Sequence, residues 1–310
     1  MKQKVVSIVG PTAVGKTKLS IEVAKKFNGE IISGDSMQVY KGMDIGTAKI
    51  KPEEMEGIPH HLLDLKQPDE AFSVADFKEY VQQYIKEITG RNKVPIIVGG
   101  SGLYIQAVLY DYNFSSEKRD DSLTKQLEAE LEQHGIDALF KRLQQVDPIQ
   151  ASRIHPNNTR RVIRALEVLE KTGLTMTEYQ QQQSDDTPYD SMLIGLTMER
   201  DVLYNRINQR IDQMIEDGLI EEVRSLLVEG YENYQSMKAI GYKELIPYVK
   251  GEVALEEAIA LLKRNSRRYA KRQYTWFKNK MDVKWYHANP EASDDYFAEI
   301  FTNLAGFLNR

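Results

Sequence analysis

The apolar residues fall into two alternating textures. Short runs at Val5-Val6-Ser7-Ile8-Val9, Glu30-Ile31-Ile32-Ser33, Val94-Pro95-Ile96-Ile97-Val98, Met192-Leu193-Ile194-Gly195-Leu196 and Val283-Lys284-Trp285-Tyr286 predict strands. Between them, helical spacing appears in Leu19, Val23, Ala24 and Phe27, with Asn28-Gly29 as the stop. It recurs after Ser73 in Val74, Phe77, Val81, Tyr84, Ile85 and Ile88, and again in Leu103, Tyr104, Ala107 and Leu109. Strands alternating with helices predict an α/β fold built on a parallel sheet.

From about Tyr112 the texture changes, and residues 114–189 read as helices with polar loops. Leu123, Leu127 and Leu131 form one stripe, and Leu139, Leu143 and Val146 another. A third helix, capped by Asn158 or Thr159, turns Val162, Leu166 and Leu169 inward and stops near Thr172-Gly173. Gln180 to Ser191 is a polar tract that reads as a linker. The division is therefore an α/β core over 1–112, an all-helical insertion over 113–190, and a return to the core over 191–310. In that last part Asp201 is placed to cap a helix with Leu203, Ile207, Ile211 and Ile215 inward. A further helix carries Ile220, Val223, Leu226 and Leu227, residues 236–243 form a loop, 254–279 one long helix, and 296–308 a terminal one.

The first strand runs into Gly10-Pro11-Thr12-Ala13-Val14-Gly15-Lys16-Thr17, which fits G-x-x-x-x-G-K-[ST] between a strand and a helix. Gly10 and Gly15 let successive N–H groups curl toward one anion, and the helix that follows adds the positive end of its dipole. Lys16 is placed to reach the terminal phosphate oxygens and the Thr17 hydroxyl to sit on Mg2+. The fold class expected is thus a P-loop-type parallel sheet flanked by helices, holding a diphosphate or triphosphate.

Composition narrows this. The chain of 310 residues has a net charge of -5 and no cysteine, so disulfides and thiolate chemistry are excluded. Its five histidines show no metal-ligand spacing; His60-His61, adjacent in an extended segment, would face opposite ways and read as structural or substrate-contacting. No run is long enough to span a membrane, which predicts a cytoplasmic protein. Nucleotide hydrolases with this loop usually end another strand in an acid that holds magnesium. Here that strand ends in Val98-Gly99-Gly100-Ser101, and the acid at a strand end is Asp35, after Ile31-Ile32-Ser33-Gly34. Two roles stay open for Asp35, a magnesium partner or a base. The second is favoured because an acceptor must meet the ligand at this end of the sheet.

The long helix near the C-terminus has no acidic residue between Glu257 and Asp282, yet holds Lys263, Arg264, Arg267, Arg268, Lys271, Arg272, Lys278 and Lys280. Tyr269, Tyr274, Trp276 and Phe277 are interleaved, and Arg264, Arg268 and Arg272 make one stripe. One-sign charge with aromatics suits a polyanion with unpaired bases. Arg160, Arg161 and Arg164 form a second basic cluster in the insertion.

Together these stretches resemble the tRNA dimethylallyltransferases, also called tRNA isopentenyltransferases, over nearly the whole chain. The resemblance rests on the phosphate loop, Asp35-Ser36-Met37-Gln38-Val39-Tyr40, Ile58-Pro59-His60-His61-Leu62-Leu63-Asp64 and Val98-Gly99-Gly100-Ser101-Gly102-Leu103-Tyr104. It continues in Arg161-Val162-Ile163-Arg164-Ala165-Leu166-Glu167-Val168, Ile240-Gly241-Tyr242 and Ala270-Lys271-Arg272-Gln273-Tyr274-Thr275-Trp276. Ser101 stands where many relatives have Thr, and Arg160 where others have Gln. The resemblance implies transfer of a dimethylallyl group from dimethylallyl diphosphate to N6 of adenosine 37, beside the tRNA anticodon, in a channel where the two substrates meet. It implies Asp35 as base, Arg210 as a diphosphate contact, and Ser101 on either the adenine or the diphosphate. Arg206, four residues before Arg210, is expected to pair with a carboxylate. The anticodon stem-loop would be met by Asp35, Ser36, Met37, Gln38, Ser101, Arg160, Arg161 and Arg164, by Ile240, Gly241, Tyr242 and Lys243, and by Arg268, Lys271, Arg272, Gln273 and Trp276. A monomer is the expected state. The competing readings are a small-molecule kinase and a transferase acting on free adenylate.

Overall fold

The computed structural model describes residues 2–112, 121–182, 187–289 and 293–309. The chain forms two compact units, Met1–Leu109 with Thr187–Arg310, and Tyr110–Asp186. Among the described residues no helix is long and apolar enough to cross a membrane.

In the first unit the chain runs through β1 (Gln3–Val9), α1 (Lys16–Lys26), β2 (Gly29–Ser33), β3 (His60–His61), α2 (Val74–Gly90), β4 (Val94–Gly99) and α3 (Gly102–Leu109). In the second follow α4 (Asp121–Val146), α5 (Pro148–Arg153), α6 (Thr159–Thr172) and α7 (Met176–Gln181). The first unit resumes with β5 (Tyr189–Thr197), α8 (Arg200–Glu216), α9 (Leu219–Val228), α10 (Ile246–Val249), α11 (Leu255–Lys280), β6 (Lys284–His287) and α12 (Ser293–Leu308).

The six strands form one parallel sheet in the order β3-β2-β4-β1-β5-β6. Val5, Val6, Ile8 and Val9 of β1, and Ile96 and Ile97 of β4, are completely buried, as expected of strands with helices on both faces. Because β1 lies inside the sheet between β4 and β5, the loop leaving its carboxyl end opens into the crevice where ligands of such sheets bind.

The structure corrects several expected boundaries. The tract 180–191 is only partly a linker. Tyr189, Asp190 and Ser191 pair with Gln3, Lys4 and Val5 as the first turn of strand register in β5, because backbone pairing is indifferent to the polar side chains. Gln180 and Gln181 close α7, and 183–186 lie outside the described residues, as do 113–120 at the start of the expected insertion. Asp201 does not cap α8; the cap position is Glu199, and Asp201 falls in the first turn, where its charge still favours the helix dipole.

In the second unit, the two leucine stripes lie on α4 either side of a break at Gly135 (φ 73°, ψ 169°). Leu127, Leu139 and Leu143 pack with Val162, Ile163 and Leu166 of α6, whereas Val146, expected inward, is 38% exposed. Asn158 is the cap of α6, its Oδ1 accepting from Arg161 N–H at 3.3 Å. Helices α5 and α7, six residues each, are too short to show a period in sequence. Buried Asp147 joins them: it accepts from Gln150 N–H at 3.0 Å, and from Thr177 N–H and Oγ1 at 2.9 and 2.6 Å.

His60 and His61 do face opposite ways. His61 Nε2 meets the Glu30 carboxylate at 2.7 Å, which Arg91 and Lys93 also hold at 2.7 and 3.0 Å. Burial opposes the charge on Glu30, but hydrogen bonds from Arg91, His61 and Lys93 outweigh it and hold the carboxyl at about 2. A folded value below the unfolded one stabilises the protein above the unfolded value and is lost as pH falls from about 4.5 through about 2. Glu30→Gln is expected to lower stability at neutral pH by about 2 kcal/mol, less than a fully buried pair would because Arg91 is half exposed, and to flatten this acid limb. Urea melts between pH 7 and pH 2 check it; parallel acid limbs in the two proteins would disprove the assignment.

Candidate active site

The phosphate loop is shaped by its glycines. Gly10 has φ 143°, and a Cβ there would come within 2.6 Å of the Leu196 carbonyl oxygen, so no other residue fits. Gly15, at φ 106°, is the N-cap of α1 and offers no side chain to cap it, which leaves the first-turn N–H groups for an anion. Lys16 Nζ donates to the carbonyls of Gly10 and Pro11 at 2.9 and 2.8 Å. Burial pulls its pKa down to about 7, the Arg210 cation adds to that, and Asp35 works the other way. The Thr17 carbonyl accepts from Ser20 Oγ at 2.8 Å, while the exposed Thr17 side chain lines the cavity.

This loop forms one wall of a cavity of about 220 Å³, and Asp35, Gln38, Arg206, Arg210, Tyr269 and Gln273 contribute to the others. Asp35 sits just past β2, where residues 31, 33 and 35 share a face. Its Oδ1 accepts from Met37 N–H at 2.9 Å. Burial pushes the Asp35 carboxyl above its ordinary value, opposed by the Met37 N–H and then by the Lys16 and Arg210 cations. A carboxylate whose proton affinity is raised by burial is a stronger base than one in water. Ser101 lies behind this wall: it is buried, its Oγ accepts from Ser36 N–H at 3.4 Å, and it hydrogen-bonds the Tyr269 hydroxyl. Burial, then the Asp35 charge, raises the Tyr269 phenol to about 12, so it remains a hydrogen-bond donor at neutral pH.

Other expectations change. Among the described residues Arg206 pairs with no carboxylate; its Nε donates to the Ala13 carbonyl at 2.9 Å, across 193 residues of sequence. Gln273, expected at an RNA surface, is 5% exposed, and its Oε1 accepts from Thr12 N–H at 2.9 Å. Trp276 is half buried with its indole against Gly102, where a Cβ would lie 2.3 Å from the ring. Gly241 and Tyr242 are buried as well. Tyr242 Oη donates to Glu222 at 2.6 Å, and the same carboxylate accepts from Asp44, Ile45 and Gly46 N–H at 3.0, 2.8 and 3.0 Å. The Ile240-Gly241-Tyr242 stretch therefore anchors the loop whose Thr47 and Ala48 line the cavity, while Ile240 is half buried and Lys243 exposed.

The basic helix α11 is partly balanced by α8: Lys263 meets Asp212 at 2.5 Å and Arg267 donates to Asn208 at 2.7 Å. Arg264, Arg268, Lys271 and Arg272 remain exposed, with Arg272 over the Tyr269 ring at 5.6 Å. In the second unit Arg160, Arg161 and Arg164 are exposed on α6, and Arg164 meets Glu167 at 3.3 Å. Sequence reading did not single out Glu222, and it placed Arg206 and Tyr269 outside the cavity they line. Only Tyr269 left a signal, four residues before Gln273 on one helix face.

A phosphate loop on an inner strand of a parallel sheet, with a half-buried carboxylate lining the same cavity and no acid after β4, defines a P-loop protein suited to group transfer. The chain belongs to the IPP transferase family, whose profile matches residues 38–280. It is 62% identical over 308 residues to the tRNA dimethylallyltransferase of Oceanobacillus iheyensis, covering 99% of this chain and 98% of that one. Among solved structures, the full-length tRNA isopentenylpyrophosphate transferase of Bacillus halodurans is similar with a TM-score of 0.76 and 53% identity, covering 99% of this chain and 97% of that one. A eukaryotic dimethylallyltransferase acting on tRNA is similar with a TM-score of 0.82 and 33% identity, covering 97% of this chain and 77% of that one.

Proposed function

We infer that the chain transfers a dimethylallyl group to tRNA, with dimethylallyl diphosphate as donor and N6 of adenosine 37 as acceptor. The observation that carries the mechanism is the meeting of Lys16, Arg210 and Asp35 around one cavity. The adenine amine attacks the allylic carbon, forming the C–N bond as the C–O bond to diphosphate breaks. The electron pair leaves with the diphosphate, and the amine proton passes to Asp35. Lys16, the loop N–H groups and Arg210 meet the charge that grows on the leaving oxygens. Ser101, held against Ser36 and Tyr269, supports the acceptor side of the cavity.

Among the described residues no group of three His, Asp or Glu side chains is placed to hold a metal alone. If Mg2+ binds with the diphosphate, the Thr17 hydroxyl, which lines the cavity, would be the protein group to hold it. When bound it would offset diphosphate charge.

Labelled dimethylallyl diphosphate incubated with tRNA, AMP or ATP separately tests the reading. Label is expected in tRNA alone; label in AMP would make the chain a free-adenylate transferase. The exposed stripe of α11 supports an RNA face. Arg268→Glu with Arg272→Glu is expected to weaken tRNA binding and reduce the slope of log affinity against log salt by about 1–2. An unchanged slope would remove α11 from the RNA interface.

A further inference from the structure

The stretch Val98-Gly99-Gly100-Ser101 is unusual for a phosphate-loop protein in ending its strand without an acid, and the activity itself does not account for what replaces it. The structure shows a specific occupant. A Cβ built on Gly100 would lie 2.0 Å from Gln273 Nε2 and 2.9 Å from Gln273 Cδ, so the glycine leaves room for one side-chain amide. That amide is buried, and it spends its acceptor on the phosphate loop, Thr12 N–H to Oε1 at 2.9 Å, across 261 residues of sequence. It also hydrogen-bonds Tyr269, itself bonded to Ser101. The next loop residue, Ala13, adopts φ 64°, a conformation that side-chain-bearing residues rarely hold without support, and its carbonyl is held by Arg206 at 2.9 Å.

We propose that Gln273 is a positioning residue for the diphosphate site: seated in the space left by Gly100, it fixes Thr12 and so holds the phosphate loop in its anion-binding shape before any anion arrives. Binding energy is then not spent on ordering the loop. This rests on the reading of the cavity as a diphosphate site. It assigns Gln273 to the loop and not to the RNA surface, and it makes Gly100 and Gln273 one functional pair.

The test uses the full chain with inorganic diphosphate and Mg2+ as the probe. In Gln273→Met, which keeps the length of the side chain without its amide, calorimetric affinity for diphosphate is expected to fall about 3- to 10-fold, the worth of one hydrogen bond. The KM for dimethylallyl diphosphate should rise by a similar factor while the Kd for tRNA stays unchanged. In the ligand-free protein the Thr12 amide should exchange faster with solvent. Gly100→Ala should reproduce these effects by displacing the amide, and the double variant should be no worse than either single one. Wild-type diphosphate affinity and Thr12 protection in Gln273→Met would overturn the proposal, as would additive losses in the double variant or a loss confined to tRNA binding. If the wild-type chain binds no diphosphate, the diphosphate reading of the site fails instead, and Thr12 protection still decides whether Gln273 holds the loop.

Discussion

Asp35→Asn is expected to lower single-turnover transfer by about 10²–10⁴-fold while tRNA binding and thermal stability stay near wild type. The adenine amine is a poor nucleophile because its lone pair is delocalised into the ring, so proton removal must accompany bond formation. Among the described residues Asp35 is the carboxylate that lines the cavity. Asparagine keeps the oxygen that accepts from Met37 N–H at 2.9 Å, so the turn after β2 survives and the loss isolates the proton transfer. The pH profile supplies a second check. Burial lifts the carboxyl above its ordinary value, so the rate should fall on the acid side at a pH above the usual aspartate range. Rapid-quench measurements between pH 4 and 8 read both effects. Near-normal chemistry in Asp35→Asn would leave Asp35 as no more than a magnesium partner.

Lys16→Met is expected to slow transfer by about 10²–10³-fold, the usual effect of removing one group that stabilises developing anionic charge. Without ligand, burial and the Arg210 cation draw the Lys16 pKa down to about 7, so near neutral pH a share of the protein holds it uncharged. A bound diphosphate favours the charged form, so binding at pH 8 should take up close to one proton, and affinity should weaken as pH rises above about 7. Calorimetry in buffers of different ionisation enthalpy measures the uptake. It should disappear in Lys16→Met, and equal uptake in both proteins would rule Lys16 out as its source.

The two effects show how differently the site's parts lay open in the sequence. Gly10 to Thr17 is a single contiguous segment whose function follows from its own backbone, and β1 and α1 flank it in sequence as in space. Asp35 was legible for a related reason, since the end of a strand in a parallel sheet always faces the crevice. Arg206, by contrast, carries no mark that distinguishes a clamp on the Ala13 carbonyl from an ordinary helix-flank ion pair.

Helix α11 draws the line most clearly. Its period predicts one stripe of Arg264, Arg268 and Arg272; that Tyr269 and Gln273 line the cavity appears only in the structure, because period alone does not say what each face meets. The alternation of strand and helix, the anion loop and the one-sign charge of α11 are properties of neighbouring residues, so the linear chain by itself determined them. Tertiary structure alone decided that Tyr242 and Gly241 are buried anchors, that Gln273 turns to Thr12, and that Glu222 gathers the N–H groups of residues 44–46. These contacts join residues more than 170 positions apart, or depend on which side of a helix the sheet covers. No local pattern encodes a partner at that distance; only the packing of the whole core selects it.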